Sequence, residues 1–351
     1  SDVTILNSYN DLLRQKGIIK KNELYEREDI LISIWEWMSQ NPNWLFIYDN
    51  AEREKDLTQY LPRRNTGHIL VTTTNPHWRN MKKIEVDVFL PEEAVEFLES
   101  FKLEGSIGDA EKLAEELGYL PLALDQAAAY MLENNKSYQE YLVLFKKYRL
   151  EMFGEVEYES TSYEKTVATT WNISLEKIDN ESAKQLIRLF AFPAPDHIDK
   201  DMFLQSSEYL PEPLASAVTD ELKFDKAIRD LARYSLIKNN NGQISIHRLL
   251  QEVIRQSLGE KKVQYFQYCV KVLRKLFTYD QYEMKTWENC AGLMPHVQSV
   301  LTHERDLKAE TEDIAVLYGQ GAGWLAHIAL YEEALAWSEK ALAIFEKVLG
   351  L

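Results

Sequence analysis

The 351-residue sequence has two cysteines, seven histidines and no Gly-x-x-x-x-Gly-Lys-[Ser/Thr] segment. So few thiols rule out a disulfide framework as the source of stability. Cys269 and Cys290 stand in helical-looking segments without metal or redox spacing, so they read as buried free thiols in a reducing, cytoplasmic setting. No pair of histidines and cysteines has zinc spacing, and no Ser-His-Asp or Cys-His arrangement has local support. No apolar run reaches the roughly 18 residues of a membrane helix, and the N-terminus lacks the regions of a secretory signal. The missing glycine-rich loop excludes a self-sufficient phosphate cradle, in which backbone amides hold the phosphates and a hydroxyl reaches magnesium. Positive charge is short as well: 40 Lys and Arg stand against 56 Asp and Glu, a net charge of −16. Such a chain repels phosphate backbones, which makes nucleic acid a poor default partner.

What is present fits two to three domains, an α/β piece followed by helices. Ile30, Leu31, Ile34, Trp35 and Met38 share a helical face, and Asn41-Pro42 ends that helix before the apolar run Trp44 to Tyr48. Such a run suits a strand covered on both faces of a parallel sheet. Ile69 to Thr73 reads as a second strand and Lys83 to Val88 as a third. Pro91-Glu92-Glu93 opens a helix, Asp109 to Leu117 ends one at Gly118, Pro121 opens the next, and Ser137-x-x-Glu140 is a capping box. Residues 150 to 163, acidic and aromatic, read as a linker. Ala183 to Phe192 and Phe224 to Leu231 follow as core helices. Ser235 to Lys238 and Gln243 to Ile246, joined by Asn239-Asn240-Asn241-Gly242, signal a hairpin. Helices closed by a small hairpin make a winged-helix domain. Toward the C-terminus Tyr318, Ala322, Leu325, Tyr331, Ala334 and Ala341 fit tetratricopeptide spacing, with Gly321 and Ser338 where larger apolar residues are usual.

Four motifs stand in one order: Leu45-Phe46-Ile47-Tyr48-Asp49-Asn50, Ile69-Leu70-Val71-Thr72-Thr73-Thr74-Asn75-Pro76, Gly118-Tyr119-Leu120-Pro121-Leu122-Ala123, and Ile244-Ser245-Ile246-His247-Arg248. Together with Thr166 to Trp171, Phe192-Pro193-Ala194-Pro195 and Arg233 to Ile237, they resemble NB-ARC proteins of the STAND class of signalling ATPases, of the bacterial type with C-terminal tetratricopeptide repeats. The resemblance covers roughly residues 25 to 350. It implies an incomplete nucleotide-binding α/β domain over 1–90, a remnant of a P-loop NTPase parallel sheet. A helical ARC subdomain over 91–155, a winged-helix domain over 156–258, a helical connector over 259–308 and the start of the repeats over 309–351 would follow. Because the chain opens on Ser1 rather than Met and stops inside a repeat, a longer parent is expected, with the effector domain and phosphate loop before Ser1.

By the same resemblance, Asp49 is the Walker B-like acid that holds magnesium through water, and the next residue, Asn50, is an amide where fast ATPases carry a general base. A slow ATPase at most is implied for the parent, and an inactive fragment here. Thr73 and Thr74 take the sensor position, where an arginine is common; a threonine brings no positive charge to a phosphate. Pro121 and Leu122 would pack on the adenine, and His247 would touch the diphosphate of bound ADP. The implied activity is an ATP/ADP-gated switch that oligomerises when the repeats sense a protein or peptide ligand. Two other readings stand beside it: an interaction scaffold on a degenerate nucleotide fold, and a winged-helix DNA-binding regulator. The latter meets fourteen acidic against twelve basic residues over 160–258, without the positive excess that phosphate neutralisation needs.

Overall fold

A computed structural model describes residues 2–20, 25–51, 53–62, 66–73, 75, 77–78, 81–153 and 163–350. The described chain is mostly helical, with a two-stranded and a three-stranded sheet. It divides into two compact units, Ser1–Val86 with Phe277–Pro295 and Ala315–Leu351, and Asp87–Leu276 with His296–Ile314.

In the first unit β1 (Leu45–Tyr48) and β2 (His68–Val71) pair directly and in parallel, with Leu45 opposite His68 and Tyr48 opposite Val71. The inner face carries Phe46, Tyr48, Ile69 and Val71. The Tyr9 ring of helix Asp2–Gln15 meets Phe46 edge-on at 5.7 Å, and Trp44 meets it at 5.2 Å. The Tyr9 and Tyr48 hydroxyls share a hydrogen bond, and Tyr9 Oη also lies 3.0 Å from the Tyr60 carbonyl, to which it donates. Paired phenols of this kind satisfy polar atoms that burial would otherwise leave costly.

The outer face is bare, which overturns the reading of a strand covered on both sides. Leu45 and Ile47 are each 59% exposed and Leu70 is 46% exposed. Their apolarity is real, but among the described residues only one layer packs on the sheet. The expected third strand, Lys83 to Val88, does not form either. Its Ile84, Val86 and Val88 alternate as a strand would, yet all are exposed, Val86 to 94%. Alternation specifies which face a strand buries; a strand also needs a neighbour that takes its amides and carbonyls, and this segment has no ladder.

The C-terminal helices of this unit, Glu312–His327 and Tyr331–Leu349, are joined by three residues and pair in reverse order, Tyr318 against Trp337 and Lys340. Gly321 admits the Trp337 indole: a Cβ there would lie 2.3 Å from the ring. The large residue missing at 321 is therefore supplied by the facing helix.

The second unit begins with helices Pro91–Ser100, Ile107–Glu116, Pro121–Asn134 and Tyr138–Phe153. Ser137 and Glu140 form the expected capping box, Glu140 receiving the Ser137 amide at 3.0 Å and Ser137 Oγ the Glu140 amide at 3.3 Å. The stretch read as a linker lies largely outside the described residues, and its first residues continue the helix to Phe153. Beyond it, Tyr163–Lys177, Glu181–Leu189, Glu221–Ala232, Arg248–Ser257 and Lys262–Leu276 enclose Trp171, Phe190, Phe192, Phe224 and Phe266, all essentially inaccessible.

The hairpin is present but displaced. β4 runs Ile237–Asn240, not 235–238, and pairs antiparallel with β5 (Gln243–Ile246) through a two-residue turn, Asn241-Gly242, with φ of 54° and 90°. Both φ are positive, as the tight turn that matches strand twist requires. A short strand absent from the sequence reading, β3 (Ile198–Asp199), pairs antiparallel with β5 and completes the order β3-β5-β4. Buried glutamines tie the helices together. Gln126 Nε2 donates to Ser174 Oγ at 3.0 Å and to the Tyr234 carbonyl, and Gln251 Nε2 donates to the carbonyls of Phe190 and Pro193 at 2.7 and 2.9 Å.

Candidate functional site

The residues singled out in the sequence fall into two groups, one in each unit. In the first, the parallel register extends one step past the strands and sets Asp49 beside Thr72. Thr72 Oγ1 donates to Asp49 Oδ1 at 2.5 Å and accepts the Asn50 amide at 2.7 Å, while the Ala51 amide reaches the Thr72 carbonyl at 2.9 Å. Asn50 turns the chain at φ +53°, a conformation that Asn tolerates better than most residues. The carboxylate thus stands exposed at the C-terminal end of a parallel strand, oriented by a hydroxyl from its neighbour. That end of an α/β sheet is where ligands bind in open parallel folds.

Thr73, expected to serve as a sensor, spends its hydroxyl locally: Oγ1 accepts the Asn75 amide at 3.0 Å and the Trp78 indole N–H at 3.2 Å. Asn75 Oδ1 in turn accepts the His77 amide at 2.9 Å. Thr74 lies outside the described residues. The threonine that touches Asp49 is Thr72, which sequence reading passed over; aligning the two apolar runs so that Tyr48 meets Val71 would have found it. Among the described residues no group of three or more His, Cys, Asp or Glu converges to hold a metal ion. By itself Asp49 suits a water-mediated contact to a hydrated magnesium ion, not a cage built from protein ligands.

In the second unit Gly118 and Tyr119 take positive φ, 65° and 55°, and end one helix; Pro121 starts the next at its first turn, where a missing amide costs nothing. The Phe89 amide donates to the Tyr119 carbonyl at 3.0 Å, so this turn also anchors the chain that leads into helix Pro91–Ser100. Pro121 is exposed and Leu122 half-buried, while Ala123 and Leu124 enter the core.

His247 caps helix Arg248–Ser257: its Nδ1 accepts the Leu249 amide at 3.2 Å. An Nδ1 that accepts carries no proton, so the neutral ring presents its N–H at Nε2. The ring lies 6.0 Å from that of buried Trp171. Burial of its inner side, with help from Arg248 and Lys238, holds the imidazole below its usual pKa and favours this neutral tautomer. Asp125, one turn beyond Leu122, is half-buried; burial raises its pKa while Lys238 lowers it.

Comparison with known proteins gives three findings. Residues 173–263 match a family described as a domain of unknown function (DUF7779). A "nucleotide-binding leucine-rich repeat (NLR)-like protein" of Hyaloscypha variabilis is 25% identical over 382 residues, covering 97% of this chain and 37% of its own length. The crystal structure of a Signal Transduction ATPase with Numerous Domains (STAND) protein with a tetratricopeptide repeat sensor, PH0952 from Pyrococcus horikoshii, superposes with a TM-score of 0.46 at 14% identity, covering 97% of this chain and 55% of that one. The chain thus spans little more than a third of the curated relative that it matches.

Proposed function

We propose that this chain is part of a nucleotide-dependent signalling switch of the NB-ARC type. The observation that carries the reading is Asp49, presented at the C-terminal end of β1 and oriented by Thr72. A carboxylate so placed is suited to hold a hydrated magnesium ion beside a nucleotide. The NLR-like relative, similar along almost the whole chain, supports the same class. In this reading Pro121 and Leu122 pack on the base, and the Nε2–H of His247 donates to a phosphate oxygen of ADP. Asn50 cannot accept a proton from water at neutral pH, so ATP turnover is slow.

The residues of this chain do not suffice for tight binding. The sequence has no glycine-rich loop with its lysine, the parts that make most phosphate contacts in P-loop proteins. Titration calorimetry should find ADP affinity for the 351-residue chain weaker than about micromolar, and much tighter affinity for a longer protein that carries a phosphate loop. Sub-micromolar affinity for the short chain, or none for the long one, would refute the reading. In the longer protein His247→Ala should speed ADP release about tenfold or more, the loss of one hydrogen bond to a charged group being worth about 1.5–3 kcal/mol.

One observation favours a second role, protein interaction at the C-terminal helices. Tyr331, Leu335 and Leu342 are spaced four and seven residues apart on helix Tyr331–Leu349 and are 65, 61 and 59% exposed. A protein or peptide ligand of the repeats would use such a face. Alanine at all three positions should abolish the response to that ligand and leave nucleotide affinity unchanged.

A further inference from the structure

Helix Glu312–His327, in the first unit, is packed on two sides. Tyr318 and Gly321 meet Trp337 of the helix that follows. Gln320, Gly323, Trp324 and His327 recur at i, i+3, i+4 and i+7 and so share the opposite face. That face is covered by a strap of the same unit, the non-helical residues 277–283, together with Trp287. The Tyr279 amide donates to Gln320 Oε1 at 2.7 Å, and the Tyr279 hydroxyl shares a hydrogen bond of 3.0 Å with His327 Nδ1. Gly323 leaves room for the Tyr279 ring: a Cβ there would lie 2.9 Å from it. The His327 imidazole stands 4.5 Å from the Trp287 ring, 5.3 Å from that of Trp324 and 5.4 Å from that of Tyr279.

The strap covers this face without satisfying it. Trp324 is 4% exposed, and its Nε1–H, like Nε2 of His327, is buried with no hydrogen-bond partner among the described residues. Buried polar atoms are nearly always paired, so two of them within one turn of one face mark a surface with more to offer than Tyr279 takes up. The strap, for its part, is bonded largely to itself. Asp280 Oδ1 receives the Tyr282 amide at 2.8 Å, Thr286 Oγ1 receives the Asp280 amide at 3.1 Å, and the Trp287 indole N–H donates to the Asp280 carbonyl at 2.9 Å. Lifting the Tyr279 side chain off the helix leaves all three bonds whole.

We propose that Gln320, Gly323, Trp324 and His327 form a recognition slot for an extended peptide segment with an aromatic side chain, and that Tyr279 is its resident occupant, displaced when a partner protein presents such a segment. The strap shows which chemistry fits: a main-chain N–H for Gln320, a ring over Gly323 and a hydroxyl for His327. A partner segment gains over it by bringing an acceptor to the Trp324 N–H. Because the strap is tethered, its effective concentration at the slot is on the order of millimolar, which shuts out weak ligands and sets a threshold for strong ones. The slot lies on a different helix from Tyr331, Leu335 and Leu342 and uses no residue assigned to nucleotide, so it stands or falls apart from both roles given above.

The probe is a fluorescently labelled peptide of residues 277–287, titrated with the 351-residue chain and followed by anisotropy. Weak binding to the unaltered chain is expected, because the tethered copy competes. Tyr279→Ala, which frees the slot, should bind the peptide at least tenfold more tightly. Adding Gly323→Leu, whose side chain fills the slot, should abolish that gain, and so should alanine in place of the first tyrosine of the peptide. Tyr279→Phe keeps the ring and loses only the bond to His327, so it should fold as the unaltered chain does and gain several-fold. Equal affinity for the unaltered chain and Tyr279→Phe would overturn the proposal, whether or not Tyr279→Ala folds. Binding that survives Gly323→Leu, or that ignores the tyrosine of the peptide, would overturn it as well, since the peptide would then be held somewhere else.

Discussion

The two sheets of this protein start from similar sequence signals and end differently. β1 and β2 are four residues each and apolar but for His68, and they leave Leu45, Ile47 and Leu70 facing solvent. β5 is no longer and less apolar, yet Ile244 and Ile246 are almost wholly buried, with β3 and β4 bonded on its two sides and helices over its inner face. A strand's sequence states which residues ask for cover; whether cover exists depends on how many partners the chain brings. Antiparallel strands recruit neighbours through a two-residue turn, while parallel ones need a crossover of a dozen residues or more, and a two-stranded parallel sheet is marginal by itself.

The sharpest way to test that contrast is to truncate the same residue type in each sheet. Ile244→Ala, at a fully buried centre, should cost about 2–5 kcal/mol, because it loses both transfer energy and packing. Ile47→Ala, at 59% exposure, should stay within about 0.5 kcal/mol. Urea unfolding followed by far-UV circular dichroism measures both. Equal losses would mean that the outer face of the parallel sheet is covered in solution.

Acid should act on the second unit through His296. Its ring is buried, with Nε2 3.1 Å from the His197 carbonyl oxygen, and burial pushes its pKa from 6.5 down to about 4. Between these values the unfolded chain holds the extra proton, so stability rises with pH there. The contribution is fully present above about pH 6.5 and is lost as pH falls to about 4, on the order of 3 kcal/mol in all. His296→Gln should make that part of the stability profile shallower, the remaining slope belonging to His303, which burial also pushes down to about 4. An unchanged slope would place the titration elsewhere.

Next in size is the polar tie at Gln126. Its amide satisfies the Tyr234 carbonyl and Ser174 Oγ, and Gln126→Leu would leave the carbonyl buried without this donor, at about 1–3 kcal/mol. Faster hydrogen exchange in helices Pro121–Asn134 and Tyr163–Lys177 is the expected readout. Protection unchanged in both would mean that the tie contributes nothing to the second unit.

The helices, their caps and the hairpin were readable because their signals are local. Ser137 and Glu140 sit at fixed spacing, Pro121 opens a helix, and Asn241-Gly242 fits only a tight turn. The hairpin boundary slipped by two residues because Ser235 to Lys238 reads as a short alternating strand, while the backbone at Ser235, φ +52°, interrupts the extension. β3 was invisible at two residues, and it forms because β5 offers an edge. The strand at Lys83 to Val88 was overread for the opposite reason, since among the described residues no strand pairs with it. At the candidate site, Asp49 and His247 stood out by position after apolar runs. Thr72 did not, because its relevance comes from the register of two strands, which no single window of sequence contains.

The smallest effect concerns the turn that makes the antiparallel sheet possible. Gly242 has φ +90°, where an L side chain is strained, but its surroundings are not crowded: a Cβ would meet the Lys200 side chain at 3.6 Å, an ordinary contact. Gly242→Ala should therefore cost the backbone penalty alone, about 1 kcal/mol, partly offset by a less flexible unfolded chain. Replacing Asn241 by Gly as well should recover little, because Asn already tolerates its φ of 54°. The position also reports on the comparison of the two sheets. If β4 and β5 owe their burial to the turn that pairs them, Gly242→Ala should loosen hydrogen exchange across Ile237–Asn240 and Gln243–Ile246 and leave β1 and β2 unaltered. Equal loosening in both sheets would show that the finished sheet and the unfinished one are not independently stabilised.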